Sequence, residues 1–258
     1  MFIKSIDITG ANYARDFELP DTEGKIRRLA DFKGKTVGLW GGFQASFSAA
    51  AGKHGLNIDS DVTIYNQGFD MLALLNGEID LASAMSYNEY AQALAGANGR
   101  ELRVFDFNED GTAALQDTIA TTRGWVEKNP EVATAFLKAT MKGWIYCRDN
   151  PDKCVDIVLK AGPALQENYQ VWQMNEVNKL IWNGSEFGVM DPAAWDKTVA
   201  GALSAVNQDG LNLITAEPPA SAYSNEYIEQ ALAELVEEGY DVSATYTPIE
   251  VTLTEGGQ

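Results

Sequence analysis

Basic residues are scarce in this chain. Against 37 Asp and Glu stand 19 Lys and Arg, a formal net charge of -18 over 258 residues. Nucleic acids and anionic membrane surfaces both call for a basic footprint, so neither is expected as a partner. Histidine occurs once, at His54, which excludes a histidine metal cluster. The lone imidazole sits at the predicted end of a helix, where it favours the dipole, and no Ser-His-Asp or Cys-His pairing with it is convincing. Cysteine occurs twice, too few for a closed four-ligand zinc site. No stretch approaches the roughly 20 consecutive apolar residues of a membrane span. The opening residues, MFIKSIDITGANYARDF, lack the three regions of a signal peptide. Neither G-x-x-x-x-G-K-[ST] nor G-x-G-x-x-G occurs, so the usual glycine cradles for nucleotide phosphates are missing.

What is present describes a folded protein. Hydrophobic residues make up 45% and charged residues 22%, an ordinary balance for a chain that buries a core. There is no internal repeat and no low-complexity segment. From Thr36 the pattern alternates. Thr36–Trp40, Val62–Tyr65, Asp80–Met85 and Leu102–Phe107 read as short apolar strands, with helices over Gln44–His54, Asp70–Leu75 and Asn88–Ala95 between them. Gly55 and Asn76-Gly77 close the first two helices. Alternating strands and helices on connections this short imply a parallel sheet covered by helices, spanning roughly 32–110. Ahead of it, residues 1–31 read as an N-terminal segment and linker. Residues 16–35, DFELPDTEGKIRRLADFKGK, read as a loop or hairpin punctuated by Pro20 and Gly24.

After Gly111 the texture changes. Thr118–Thr122 reads as one more strand, and helices then dominate residues 111–258. They are expected at Pro130–Arg148 behind an Asn129 cap, Pro151–Leu159, Tyr169–Trp182, Pro192–Val206 behind Asp191, and Tyr223–Glu238. Trp125, Trp144, Trp172, Trp182 and Trp195 recur among apolar neighbours on these helices and read as core. Cys147 and Cys154 flank Asn150-Pro151, a corner between two helices. Two readings stay open there: a bridge, which needs an oxidising compartment, or two half-buried free thiols.

The stretch FKGKTVGLWGGFQASFS, residues 32–48, carries the strongest sign of a site. A strand, a Gly-Gly break and a helix start leave backbone N–H groups of Gly41 and Gly42 facing outward, flanked by the flat side chains of Trp40 and Phe43. Two further segments follow the next strands: Asn66-Gln67-Gly68-Phe69-Asp70, and Ser86-Tyr87-Asn88-Glu89. All three fall at the C-terminal ends of adjacent strands, where open α/β sheets bind ligands. A fourth, Leu115-Gln116-Asp117, lies near the return from the α/β unit. Rings, amides and a carboxylate such as Glu89 suit a flat, amine-bearing or cationic heterocycle better than a bare anion. The competing structural roles are plain: Gln67 and Asp70 as caps of the next helix, Asn88 as an N-cap, and Trp40 as core.

Taken together, FKGKTVGLWGG, DVTIYNQGFDM, LLNGEIDLASAMSYNEYAQAL, LQD, NPEVATAFLKATMKGWIYCRDNPDKCV and WQMNEVNKLIW resemble the solute-binding proteins of the thiamine-pyrimidine-precursor and sulfonate type, over about Phe32 to Leu235. The resemblance implies a periplasmic-binding-protein fold of type II, with one complete α/β lobe at 32–110 and a helix-rich part of a second lobe at 111–258. A ligand would sit between the lobes. It further implies a small nitrogenous ligand, an ABC permease as partner, no cofactor and no catalysis. Trp40, Gly41, Gly42, Phe43, Gln67, Asp70, Tyr87, Asn88, Glu89 and Gln116 would face the ligand. The opening strands of the other lobe, and a leader for a periplasmic or lipid-anchored protein, are expected upstream of Met1, unless residues 1–16 patch a naturally shortened sheet. An incomplete lobe would expose a sheet edge and favour self-association. The family also holds fungal pyrimidine-precursor synthases, which use a Cys-rich motif and an N-terminal histidine for iron and pyridoxal phosphate chemistry. This chain has no Cys-rich run, and His54 lies elsewhere. An enzyme of that type, and a truncated domain without ligand affinity, are the alternatives.

Overall fold

The computed structural model describes residues 15–18, 26, 28–40, 44–98, 100, 102–205 and 213–254, with the backbone alone at 15–18, 44 and 45. Within the described residues the chain divides into two compact units. One gathers Leu115–Asp196 and Glu217–Glu250; the other gathers residues 15–114, Lys197–Ala216 and 251–254. The strand Arg15–Glu18 and the helical residues Lys197–Ser204 thus pack with the sheet although they lie outside 32–110 in sequence.

The sheet unit holds β1 (Arg15–Glu18), β2 (Thr36–Leu39), β3 (Thr63–Asn66), β4 (Leu81–Ala84) and β5 (Arg103–Asp106), in the order β3-β2-β4-β1-β5. β2 pairs in parallel with β3 and β4, whereas β1 pairs antiparallel with both β4 and β5. β2, β3, β4 and β5 therefore share one direction and β1 alone runs against them. The helices are α1 (Gln44–Lys53), α2 (Leu72–Leu75), α3 (Glu89–Gly96) and the single turn α4 (Phe107–Asp110).

The apolar alternation explains the layers. Val37 and Leu39 of β2 and Leu81 of β4 bury against Phe47, Ala50 and Ala51 of α1, joined by Phe32 and Phe107. Ala82 and Ala84 point to the opposite face and meet Met71, Leu74 and Ala93 from α2 and α3. A sheet apolar on both faces needs a helix layer on each, which is the α/β arrangement the spacing predicts. Past the end of α1, Gly55 takes a φ of +78°, a left-handed turn that glycine adopts without a Cβ penalty, and Leu56 N–H closes on Ala51 O at 2.8 Å.

Of residues 16–35, read as a loop or hairpin, 19–25 and 27 lie outside the described residues, and Asp16–Glu18 belong to a strand inside the sheet. Arg15–Glu18 is a strand with neighbours on both sides, Phe17 lying opposite Ala82 and Val104. The four-residue stretch RDFE carries too little apolar pattern to announce a strand. Ladder hydrogen bonds from two neighbours, not propensity, hold it there.

The helical unit contains α5 (Arg123–Val126), α6 (Pro130–Asp149), α7 (Pro151–Ala161) and α8 (Glu167–Ile181). It also takes the first turn of α9 (Pro192–Ser204) and all of α10 (Glu226–Glu237). α6 buries Leu137, Met141 and Ile145, and α10 buries Ile228, Ala231, Leu232 and Leu235, each at helical spacing. Lys138 Nζ ties the two helices, 2.6 Å from Glu234 Oε2 and 2.9 Å from Glu238 Oε1. Asp191 caps α9, accepting Ala193 N–H at 2.7 Å. Asn129 does not cap α6 with its side chain; it donates to Trp125 O at 2.8 Å instead.

Cys147 and Cys154 are joined in a disulfide that links α6 to α7. Nearby, the buried Arg148 donates to Asp149 and to Asp241 O and lies 4.5 Å over the Trp182 ring. Two expectations are corrected. Thr118–Thr122 forms no strand; Thr118 alone makes an isolated bridge. Trp182 is core, but Trp125 is 42% exposed because α5 is a single turn with little surface to bury it. Among the described residues, no helix is long and apolar enough to cross a membrane.

Candidate functional site

β2 is where the chain reverses its direction of winding. It leaves β2 for β3 on one side and returns to β4 on the other. In an open parallel sheet this is the position where a crevice opens outside the carboxyl ends of the strands. The segments after β2, β3 and β4 therefore share one end of the sheet, as their spacing predicts. Of the first segment, Trp40 is described; Gly41, Gly42 and Phe43 lie outside the described residues, and the amide cradle predicted there has no geometry to report.

Trp40 is buried, 5% exposed, and its Nε1–H donates to Gly68 O at 2.9 Å. It fastens the end of β2 to the segment after β3. Gln67 is a second fastener. Pairing of β2 with β4 is recorded at Val37–Leu81 and Gly38–Ala82. One residue further, the Gln67 amide crosses over Gly38 and bridges to β4: Nε2–H donates to Ser83 O at 2.7 Å, and Ser83 N–H donates to Oε1 at 2.9 Å. Only glycine leaves room for this crossing, because a Cβ at position 38 would meet Gln67 Oε1 at 2.6 Å. Gln67 thus neither caps a helix nor turns outward.

Asp70 accepts Leu72 N–H at 2.9 Å at the start of α2, although the N-cap residue there is Met71. Asn88 occupies the N-cap position of α3, as foreseen. Its side chain makes no cap bond and donates to Glu89 Oε1 at 3.0 Å. Glu89, the first residue of α3, is 3% exposed and accepts Met85 N–H at 3.0 Å. Burial pushes its carboxyl above the ordinary value, against the lowering effect of the hydrogen bonds from its own and the Met85 backbone and from Asn88. Tyr87 is half-buried beside it. Gln116 is half-buried in the helical unit, followed by Asp117 with a φ of +54°, an uncommon conformation for a residue with a side chain.

Phe69 lies within the second predicted segment but was not singled out there. It is 74% exposed and stacks on Trp40, with ring centroids 6.3 Å apart and planes 19° from parallel. A bulky ring directly after Gly68 at a strand end was the available signal. His54 also acquires a specific partner: its Nε2 lies 2.6 Å from Asp110 Oδ1, binding the end of α1 to α4. Burial would raise the Asp110 carboxyl, but His54, Thr112 and Lys53 outweigh it and hold it below its usual value. Beside α1 the sheet unit also carries an open cavity of about 330 Å³, lined by Ser46, Ala49, Thr112, Lys197, Gly201 and Ser204 among others.

The winding reversal is the place where open α/β sheets take ligands, and comparisons with known proteins give the family and the fold. Residues 19–154 match the family model described as NMT1/THI5 like. The chain belongs to the NMT1/THI5-like family. Two curated relatives of this NMT1/THI5-like chain are binding proteins by name. Riboflavin-binding protein RibY of Chloroflexus aurantiacus is 30% identical over 200 residues, 70% of this chain and 55% of that protein. The formylaminopyrimidine-binding protein of Halalkalibacterium halodurans is 23% identical over 184 residues, 66% of this chain and 54% of that protein. The chain spans about half the length of the curated relatives it matches. Among solved structures, the periplasmic sulfonate-binding protein SsuA of Methylobacillus flagellatus superposes with a TM-score of 0.59 at 18% identity, covering 94% of this chain and 71% of that one. That likeness is one of fold, and the periplasmic-binding-protein fold implied by the sequence motifs is the fold found.

Proposed function

We propose that this NMT1/THI5-like chain is the solute-binding component of an ABC import system, holding a small, flat, nitrogenous ligand without transforming it. One observation carries the reading: segments rich in rings and amides follow three adjacent parallel strands at the winding reversal, with the buried Glu89 carboxylate among them. In this proposal Gly41, Gly42, Phe43, Tyr87, Asn88 and Glu89 contact the ligand, while Trp40, Gln67 and Asp70 hold the segments in place. The names of the two relatives, a flavin binder and a pyrimidine binder, support a flat heterocycle as the ligand class.

The partner is a membrane permease, and the protein works in an oxidising compartment outside the cytoplasm. The disulfide between Cys147 and Cys154 supports that location. Self-association belongs to the same proposal. β3 stands at the edge of the described sheet with all four residues exposed, Ile64 and Tyr65 among them.

The test is a melting screen against pyrimidines, flavins and aliphatic sulfonates, followed by recovery of the bound compound. A ligand at about 100 times its Kd stabilises the folded state by about 2.7 kcal/mol. Saturation at one ligand per chain, with the compound recovered unchanged, is the expected result. Turnover of the compound, or no shift with any member of the screen, overturns the proposal.

A further inference from the structure

The two rings at the end of the sheet divide their work. Trp40 has almost no free surface, and its indole N–H is already committed to Gly68 O. It cannot present a face to an incoming molecule. Phe69 is the opposite case. One face lies along Trp40, and the ring is 74% exposed. Its position is not loose. Gly68 before it is tied to the Trp40 indole, Gln67 before that is clamped to both main-chain groups of Ser83, and Asp70 after it caps Leu72 N–H. A phenyl ring left in water costs free energy that burial would recover, and among the described residues the ring contact on Phe69 is that with Trp40. The residue is therefore held rigidly, backed by a second ring, and open on one side at the reversal point of the sheet.

We infer that Phe69 is the stacking platform of the ligand site, receiving a flat aromatic ring against its outer face while Trp40 serves as its backing. The inference rests on the solute-binding reading above and sharpens it. The ligand must carry an aromatic ring of at least pyrimidine size, and specificity for flat over aliphatic solutes comes from this residue. Offset stacking of two rings is favourable beyond simple burial, and its loss corresponds to about a threefold to tenfold weaker affinity.

The experiment uses riboflavin and 4-amino-5-formylaminomethyl-2-methylpyrimidine as ring probes and ethanesulfonate as a probe without a ring. The proteins are the unaltered chain, Phe69→Leu and Phe69→Trp. Because the side chain is exposed, both variants should melt within a few degrees of the parent. The expected result is that a ring probe binds the parent, with quenching of flavin emission in the case of riboflavin. Phe69→Leu should then weaken binding about threefold to tenfold or more, and Phe69→Trp should restore it. Equal affinity of the parent and Phe69→Leu for a ring probe overturns the inference and leaves solute binding standing. Binding of ethanesulfonate alone does the same. Failure of all three probes to bind the parent removes both.

Discussion

The bridge over Gly38 can be tested as a coupled pair. Replacing Gly38 by Ala places a Cβ 2.6 Å from Gln67 Oε1 and 2.9 Å from Ile79 Cδ1. The Ile79 methyl is the end of a flexible side chain and can move. Gln67 cannot move without releasing Ser83 N–H and C=O, two buried main-chain groups that it bonds at 2.9 and 2.7 Å. Each buried polar group left unpaired costs about 1–3 kcal/mol, and overpacking a core costs about as much. Gly38→Ala should therefore destabilise the sheet unit by about 2–4 kcal/mol. Gln67→Ala should cost a similar amount by orphaning the same Ser83 groups. The double variant is the informative one. With the amide gone, the added methyl enters vacated space, so Gly38→Ala should cost less than about 1 kcal/mol in that background, a coupling of roughly 2 kcal/mol. Five of the six tryptophans, Trp125, Trp144, Trp172, Trp182 and Trp195, fall in the helical unit. The fluorine resonance of Trp40 in protein labelled with 5-fluorotryptophan therefore reports urea unfolding of the sheet unit by itself. If Gly38→Ala costs the same with and without Gln67, to within about 0.5 kcal/mol, the crossing amide is not what forbids a side chain there.

Glu89 predicts a pH dependence of definite sign. Its folded carboxyl titrates above the ordinary value of 4.5, so the folded state holds the proton more tightly than the unfolded chain. Stability from this residue is complete below that value and declines as pH rises through the window above it. Glu89→Gln stays neutral and keeps an oxygen for Met85 N–H, so its melting temperature should match the parent at about pH 4 and exceed it at about pH 7.5; a constant difference across that range would contradict the assignment. The disulfide closes a short loop of sequence separation 7. Changing both Cys147 and Cys154 to Ser should cost about 2–3 kcal/mol. The loss should appear as a lower urea midpoint for the helical unit, read from its tryptophan resonances, and an unchanged midpoint would contradict it.

Much of the sheet unit was legible because short strands with β-branched and apolar residues, separated by glycine-closed helices, obey local rules. Thr36–Leu39, Thr63–Asn66, Leu81–Ala84 and Arg103–Asp106 fall within a residue or so of their predicted spans. The failures have a common cause. RDFE became a strand between β4 and β5 through partners distant in sequence, while the apolar stretch at Thr118–Thr122 found only a single bridge. A strand exists only when its ladder does, and local composition does not report on that.

The candidate site shows the same division. That its segments share one end of the sheet could be read from the sequence, since loops after consecutive parallel strands must emerge together. The rings, amides and carboxylate available there were readable too. Which of them turn toward solvent was not. Trp40 and Phe69 are both large aromatic residues beside glycines, and Gln67 and Asn88 are both amides beside a helix. Tertiary contacts commit Trp40 to Gly68, Gln67 to Ser83 and Asn88 to Glu89, and leave Phe69 exposed. The sequence by itself determined the α/β class, the shared strand-end position of the candidate segments and the lack of the residues for a histidine metal cluster, because these depend on periodicity and composition. Only the tertiary structure decided which side chain is a fastener and which is a free surface, because burial and hydrogen-bond partners come from residues brought together by the fold.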